Sequence, residues 1–346
     1  MPISRHLQTI RKKVGSDLLI MPGVSVACFD ERRRLLLADH GGTKGWAIPG
    51  GSVDPDDLPA GTAIREMWEE TQLQVEPIRV VGVYGGEDFL VTYPNGDQVD
   101  YKDTLMECRI VGGQMEADGD EIMGLGFFAR AEIEQMPLPD WMNQILPHIY
   151  GDESRTFFSP VTWSPPENGL RKGGISEYIR ALREQIGQQQ LMMPAAAGIV
   201  WDTNGRILMQ RRSDNGLWGL PGGAIDPFET PVDAVVREVW EETGVLVEPT
   251  RVAGVFSGRE SHVTYPHGDQ VAIYSFVFEC QIVSGTPTID QHETLEVGFY
   301  TPAELAKLIM APRWQRRIPL MLQNQSPSAY FDPVDIHRTT SLRQKY

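Results

Sequence analysis

Cysteine is scarce in this 346-residue chain. Cys28, Cys108 and Cys280 are an odd number, with no CxxC pair and no zinc-ligand spacing. That pattern excludes a disulfide framework and a cysteine-built metal site. Each sits in an apolar or β-like run, which reads as a buried free thiol in a reducing compartment. Long apolar runs are also missing: none approaches the roughly 20 residues needed to cross a bilayer. Basic residues followed by Leu18 to Met21 have the outline of a signal peptide. An equivalent stretch recurs inside the chain, so it is assigned to the fold, and the cytoplasm is the expected address. Positive charge is in short supply as well, with 31 Lys and Arg against 47 Asp and Glu and a net charge of −16. Neither a nucleic-acid backbone nor an anionic membrane is therefore expected as the main partner. A polyphosphate would be repelled too, unless a bound cation offset the acid locally.

What the chain does have is one unit written twice. Trp46, Gly51, Arg65, Tyr93, Cys108 and Glu121 recur 172 residues later as Trp218, Gly223, Arg237, Tyr265, Cys280 and Glu293. A period that long marks a tandem domain duplication and not a solenoid. The length suits two domains of ordinary size, 1–160 and 175–346. Between them, 161–174 is rich in Pro and Gly and reads as linker. Each unit alternates helix and strand: in the second, a helix over Ser176–Ile186, then strands over Ala195–Trp201 and Arg206–Gln210. A Gly-rich loop and a helix follow, then strands near 252–256, 271–283 and 297–300, and a closing helix from Pro302. The fold class implied is α/β, two tandem α/β/α sandwiches, each around a central mixed sheet.

The loop and helix from Gly223 to Val245 carry the chemistry. Glu238, Glu241 and Glu242 stand at i, i+3 and i+4 on one sector of a helix. Like charges so placed repel, and folding alone gives no reason to gather them. A hard divalent cation does, because Mg²⁺ prefers carboxylate and phosphate oxygens. Thr230 is a natural N-cap, Pro231 suits the first helical position, Asp233 favours the first turn, and Gly244 ends the helix as a left-handed cap. Val232, Val235, Val236 and Val239 form the packing stripe. The first copy, from Gly51, keeps Arg65, Glu66, Glu69 and Glu70. It loses Thr230 to Leu58, Asp233 to Gly61 and Gln210-Arg211-Arg212 to Ala38-Asp39-His40.

The pattern G-x5-E-x7-R-E-V-W-E-E-T-G-V resembles the signature of the Nudix hydrolase superfamily and matches it fully in the second repeat. The first departs at Asp57 and Gln72. The resemblance, which extends into the flanking strands and the Trp-x-x-Pro-Gly-Gly approach, implies a tandem Nudix pyrophosphohydrolase using Mg²⁺ or Mn²⁺ on a nucleoside diphosphate linked to another moiety. It implies metal ligands at Glu238, Glu241 and Glu242 with the Gly223 carbonyl, and at Glu66, Glu69 and Glu70 with that of Gly51. Arg237 and Arg65 would orient the glutamates. Glu293, with Glu121 its counterpart, is a candidate distal ligand or base, and Glu238 the alternative base. Subfamily arrays such as SQPWPFPxS are absent, so ADP-ribose-like compounds, dinucleoside polyphosphates, nucleotide sugars and damaged nucleoside triphosphates stay open.

Two features keep two readings each. The segment Val263–Val271 is either a hairpin turn or a substrate loop using Tyr265, Asp269 and Gln270. Arg211 and Arg212 either hold phosphate or pair with surplus acid. His262, His267 and His292 lack a metal spacing and are expected at the surface. The small-molecule substrate aside, the expected partner is internal: the two units pack as a pseudo-dimer, and further homo-oligomers stay open. The second repeat is expected to be the main catalyst. The rival reading is a nucleotide-sensing or scaffolding protein.

Overall fold

A computed structural model describes residues 4–41, 45–119, 121–152, 154–169, 171, 176–289 and 293–334. In the first repeat the strands Leu19–Cys28 and Gln98–Gly113 run parallel, and Leu73–Tyr84 joins antiparallel to the latter. On the other edge Gly50–Ser52 pairs antiparallel with Leu19–Cys28, placing the Gly-rich loop over the sheet. The box helix Pro59–Thr71 buries Ala60, Ala63, Ile64 and Met67 against it. Strand Leu35–Asp39 forms a smaller sheet with Trp46–Ala47 and Gly124–Phe128. The second repeat has the same order: Leu191–Trp201 lies parallel to Gln270–Ser284, which is antiparallel to Leu246–Phe256. There the Trp201↔Ile207 pairing joins both sheets into one of nine strands. Both repeats are thus α/β with mixed sheets.

In the second repeat the strands start earlier than the sequence reading, except the one expected from Arg206, which runs Ile207–Arg212. Leu191 replaces Ala195 as the first strand residue because pairing with Gln270–Ser284 continues through Pro194. The helix expected from Pro302 is one short turn, Pro302–Leu305, opened by a Thr301/Glu304 capping box. The longer closing helix is Pro312–Gln323, which buries Trp314, Arg317, Ile318 and Met321. The Pro/Gly-rich connection is docked, not a free tether. Thr162 N and Trp163 N donate to Asp233 Oδ1 at 2.6 and 2.8 Å, Thr162 Oγ1 donates to Oδ2 at 2.8 Å, and Trp163 packs on Trp240. Asp233 therefore serves the helix N-terminus and the linker at once. Of the linker glycines, Gly173 and Gly174 lie outside the described residues, as does His292.

One apolar cluster contains residues of both repeats, among them Met106, Val26, Met192, Ala196, Phe276 and Phe278. Phe158 meets Phe278 edge-on at 5.6 Å, and Thr104 Oγ1 lies 2.7 Å from Tyr274 Oη. The opening helices Arg5–Val14 and Glu177–Ile186 exchange contacts in both directions: Lys13 Nζ donates to Ile186 O, and Gln185 Nε2 to Asp17. Each box-leading loop leans on the opposite repeat. Ser257 Oγ donates to Asp57 O, while Gly85 faces Pro231 and Glu229. His262, expected at the surface, is half-buried there against Pro55 O at 2.9 Å. Among the described residues no helix is long and apolar enough to cross a membrane.

Candidate active site

The second box helix, Pro231–Thr243, starts and stops as its residues require. Asp233 N donates to Thr230 Oγ1 at 3.1 Å, and Gly244 takes φ 72° at the C-cap. Leu58 supplies no such cap in the first box helix, and Gln72 adopts φ 57°, a region side chains enter at a cost. Between strand and helix, Gly222 has φ 151°, and a Cβ there would collide with the Ala196 carbonyl. Gly223 is needed for another reason: a Cβ would lie 2.5 Å from the Glu238 carboxylate. Gly51 stands in the same relation to Glu66. Both boxes thus press a carboxylate against a backbone that can be only glycine.

Arg237 organises the acid. Its Nε and Nη2 bind Glu229 Oε1 and Oε2 at 2.7 and 2.8 Å, its Nη1 reaches Glu238 at 2.7 Å and Glu241 at 3.1 Å, and Nη2 also donates to Ala224 O. Burial alone would pull its pKa down, but the Glu229 bonds and surrounding carboxylates outweigh this and raise it. Arg65 repeats the arrangement with one bond fewer, because the shorter Asp57 meets only Nε, at 3.2 Å. Glu242 is buried, and its Oε2 accepts from Gln210 Nε2 at 2.6 Å and Gly222 N at 2.7 Å. Thr294 in turn holds Gln210 Oε1 at 2.8 Å. Glu70 has the Gly50 amide at 3.1 Å, but Ala38 stands where Gln210 would donate.

These carboxyls are poor places for charge without a cation. Burial, with Arg237 opposing and Glu241 and Glu293 adding, pushes Glu238 from the ordinary 4.5 to about 7. Burial and then the charge of Glu238 raise Glu242. Glu66 rises to about 7 and Glu70 to about 8, burial first in both. Among the described residues no three acidic, His or Cys side chains already converge as a ligand cluster, because the arginines hold the glutamates. The residues nevertheless fit a hard divalent cation. The donors are all oxygen, Glu66 Oε2 is buried without a partner, and each glycine leaves room beside a glutamate.

Linkage gives a measurable sign. Glu238 binds its proton more tightly in the native state than in the unfolded chain. Its contribution to metal-free stability is fully present below about 4.5 and is lost as pH rises through about 7. Added Mg²⁺ should stabilise more at pH 8 than at pH 5, with proton release on binding. Thermal melts across pH with and without Mg²⁺ measure this. Equal Mg²⁺ shifts at both pH values would count against ligation by these groups.

The other sequence-selected residues divide. Arg212 follows Gln210 on the same face of its strand and acts on the charge of Glu242; it pairs with Asp214 at 3.0 Å. Arg211 faces the other way and meets Glu296 across the sheet at 3.2 Å. Glu293 lies close enough to raise Glu238, and its carbonyl accepts from Ser213 N. In the first repeat Glu66 and then Asp118 are acids that raise Glu70. Asp269 pairs with Arg183 at 3.2 Å, and Asp97 pairs with Arg11 likewise, so this aspartate ties the turn to the opening helix in both copies. Tyr265 stacks on His267 and acts on both Arg212 and Arg313. Arg313, from the closing helix, was not singled out by sequence. Trp46 and Trp218 pack edge-on against Phe128 and Tyr300. Cys28, Cys108 and Cys280 are buried free thiols.

Two mixed-sheet sandwiches, each carrying an Arg-and-glutamate helix behind a glycine loop, define a duplicated member of one hydrolase class. The NUDIX domain model matches residues 19–149 and 191–321, and the chain belongs to the Nudix hydrolase superfamily. That superfamily acts on phosphorus-containing acid anhydrides of small nucleotide compounds. The chain is 37% identical over 113 residues to a MutT-like protein of Streptomyces ambofaciens, covering 33% of this chain and 66% of that one. It is 33% identical over 120 residues to a putative 8-oxo-dGTP diphosphatase of Bacillus subtilis, 35% of this chain and 73% of that one. With an ADP-ribose pyrophosphatase of Methanocaldococcus jannaschii it shares 34% identity over 96 residues, 27% of this chain and 53% of that one. Among solved structures, a MutT protein from Methanosarcina mazei Go1 aligns with 25% identity and TM-score 0.33, over 39% of this chain and 96% of that one.

Proposed function

We propose that this chain is a metal-dependent pyrophosphohydrolase that cleaves a phosphoanhydride in a nucleoside diphosphate derivative, with the second repeat as the main catalyst. The two domains are 1–160 and 175–346, joined by 161–174. One observation carries the reading: Arg237 gathers Glu229, Glu238 and Glu241 while Gln210 and the Gly222 amide pin Glu242 beside them. Nudix hydrolases generally use divalent metal ions. Here Glu238, Glu241, Glu242 and the Gly223 carbonyl would hold Mg²⁺ or Mn²⁺, with Glu66, Glu69, Glu70 and Gly51 the weaker set. The bound ion supplies charge neutralisation on phosphate oxygens and a more acidic water.

The chain's own residues do the rest. Arg237 keeps the glutamates apart and oriented through charge-assisted bonds. Glu238 or Glu293 takes the proton from the attacking water. Arg212 and Arg313 place two cations beside the box, and burial together with Arg212 lowers the pKa of Arg313. Such a pair suits the outer phosphates of a substrate. At the related positions the first repeat has His40 and Asp140, which favours unequal activity of the two boxes. A screen of ADP-ribose, dinucleoside polyphosphates, nucleotide sugars and oxidised nucleoside triphosphates with Mg²⁺ and Mn²⁺, reading phosphate after phosphatase coupling, tests the proposal. Turnover of at least one is expected. Folded, metal-loaded protein inert toward all would favour the sensing or scaffolding alternative.

A further inference from the structure

The loop entering the second box helix is held from outside its own repeat. Phe228 stands at φ 62° with its ring exposed, a backbone region that a large side chain occupies only where the surroundings hold it there. Its amide donates to Asp100 Oδ2 at 2.6 Å, and Asp100 lies on strand Gln98–Gly113 of the first repeat. Lys102, two residues on along the same strand face, donates from Nζ to both Asp100 oxygens at 2.8 Å. Both side chains are completely buried. A buried ion pair is seldom better for stability than an apolar pair of similar volume. The other repeat shows as much: Ala272 and Tyr274 occupy the related positions, both buried. Among the described residues the first repeat's own box loop has no buried ion pair of this kind; Ser257 Oγ donates to its Asp57 O, and His262 and Arg259 touch its Pro55 and Asp56 at a more exposed surface.

We propose that Asp100 and Lys102 of the first repeat are positioning residues for the catalytic box of the second. They fix the Phe228 backbone and hence Glu229, the next residue, whose carboxylate orients Arg237 and through it Glu238 and Glu241. Lys102 also lies within electrostatic reach of Glu229 and Asp226. The inference rests on the reading of the second box as the catalyst. It makes the first repeat necessary to turnover whatever its own box does.

The test uses the full chain, as wild type, as Asp100→Ala, and as the neutral pair Asp100→Asn with Lys102→Met. Hydrogen exchange over 226–230 is read alongside kcat, KM and Mn²⁺ affinity. In Asp100→Ala the loop should exchange at least about tenfold faster. Its kcat should fall about tenfold or more with KM little changed, because a small displacement of reacting groups is costly. The related loop, 54–58, should keep its exchange rate. The neutral pair retains an acceptor for the Phe228 amide and leaves no lone buried charge, so it should recover most of the loss; should Asp100→Ala fold poorly, Asp100→Ala with Lys102→Met, which removes the acceptor without stranding a charge, takes its place with the same expected results. Unchanged exchange at 226–230 in Asp100→Ala, or a loosened loop with kcat intact, overturns the inference. Should wild type turn over no nucleotide derivative, the proposed reaction fails separately. Mn²⁺ affinity then decides: an Asp100→Ala affinity equal to wild type overturns the positioning role as well.

Discussion

Replacing Glu242 by Gln should lower kcat by roughly 10²–10⁴-fold, the range a positioned catalytic group contributes, while Glu70→Gln should leave most activity in place. The asymmetry follows from what holds each side chain. Glu242 is fixed by two donors on one oxygen, Gln210 Nε2 and the Gly222 amide, and Gln210 is itself fixed by Thr294. The Gln variant removes the charge that a cation would meet. Glu70 has one donor and an alanine where Gln210 would stand. Steady-state rates on the best substrate of the screen, with Mn²⁺ titration of both variants, measure the difference. Loss of turnover only in the Glu70 variant would reverse the assignment of the two repeats.

The second large effect falls on stability. Arg237→Ala leaves Glu229, Glu238 and Glu241 without their shared partner in a site where the arginine side chain is only 14% exposed. Removing one member of a buried charge network typically costs about 3–5 kcal/mol. Urea unfolding should show a loss in that range for the metal-free variant. Mg²⁺ should stabilise this variant more than wild type, because the ion replaces the missing positive charge. Arg237→Lys should recover little, since a single ammonium cannot span the fork from Glu229 to Glu241. A variant as stable as wild type would show that the glutamates do not depend on this guanidinium.

Much of this was legible in residue order. Caps, glycines and the glutamate spacing act within one turn or two, so Thr230, Gly244 and Gly223 could be placed from local geometry. What escaped depends on distant pairings. That Arg212 and not Arg211 faces Glu242 follows from strand parity, which becomes definite only once Gln210 is seen beside Glu242. Asp269 has the look of a substrate contact until Arg183 is found next to it, and Asp97 with Arg11 shows the same tie in the other copy. Asp100 and Lys102 gave no signal, because their partner, the Phe228 amide, lies 128 residues away in the other repeat. Arg313 was hidden because the closing helix begins at Pro312, well beyond the expected start at Pro302.

The shared interior of the two repeats has a consequence for how the chain tolerates change. With Phe158 seated against Phe278, and Met106 and Phe276 in one apolar body, the halves are expected to unfold together, in one calorimetric transition and not two. A cavity opened in the first half should then weaken the second as well. With the second box as the proposed catalyst, selection on it would preserve the first half's scaffold while leaving that half's glutamates free to drift, so that a duplicate could decay chemically without being lost.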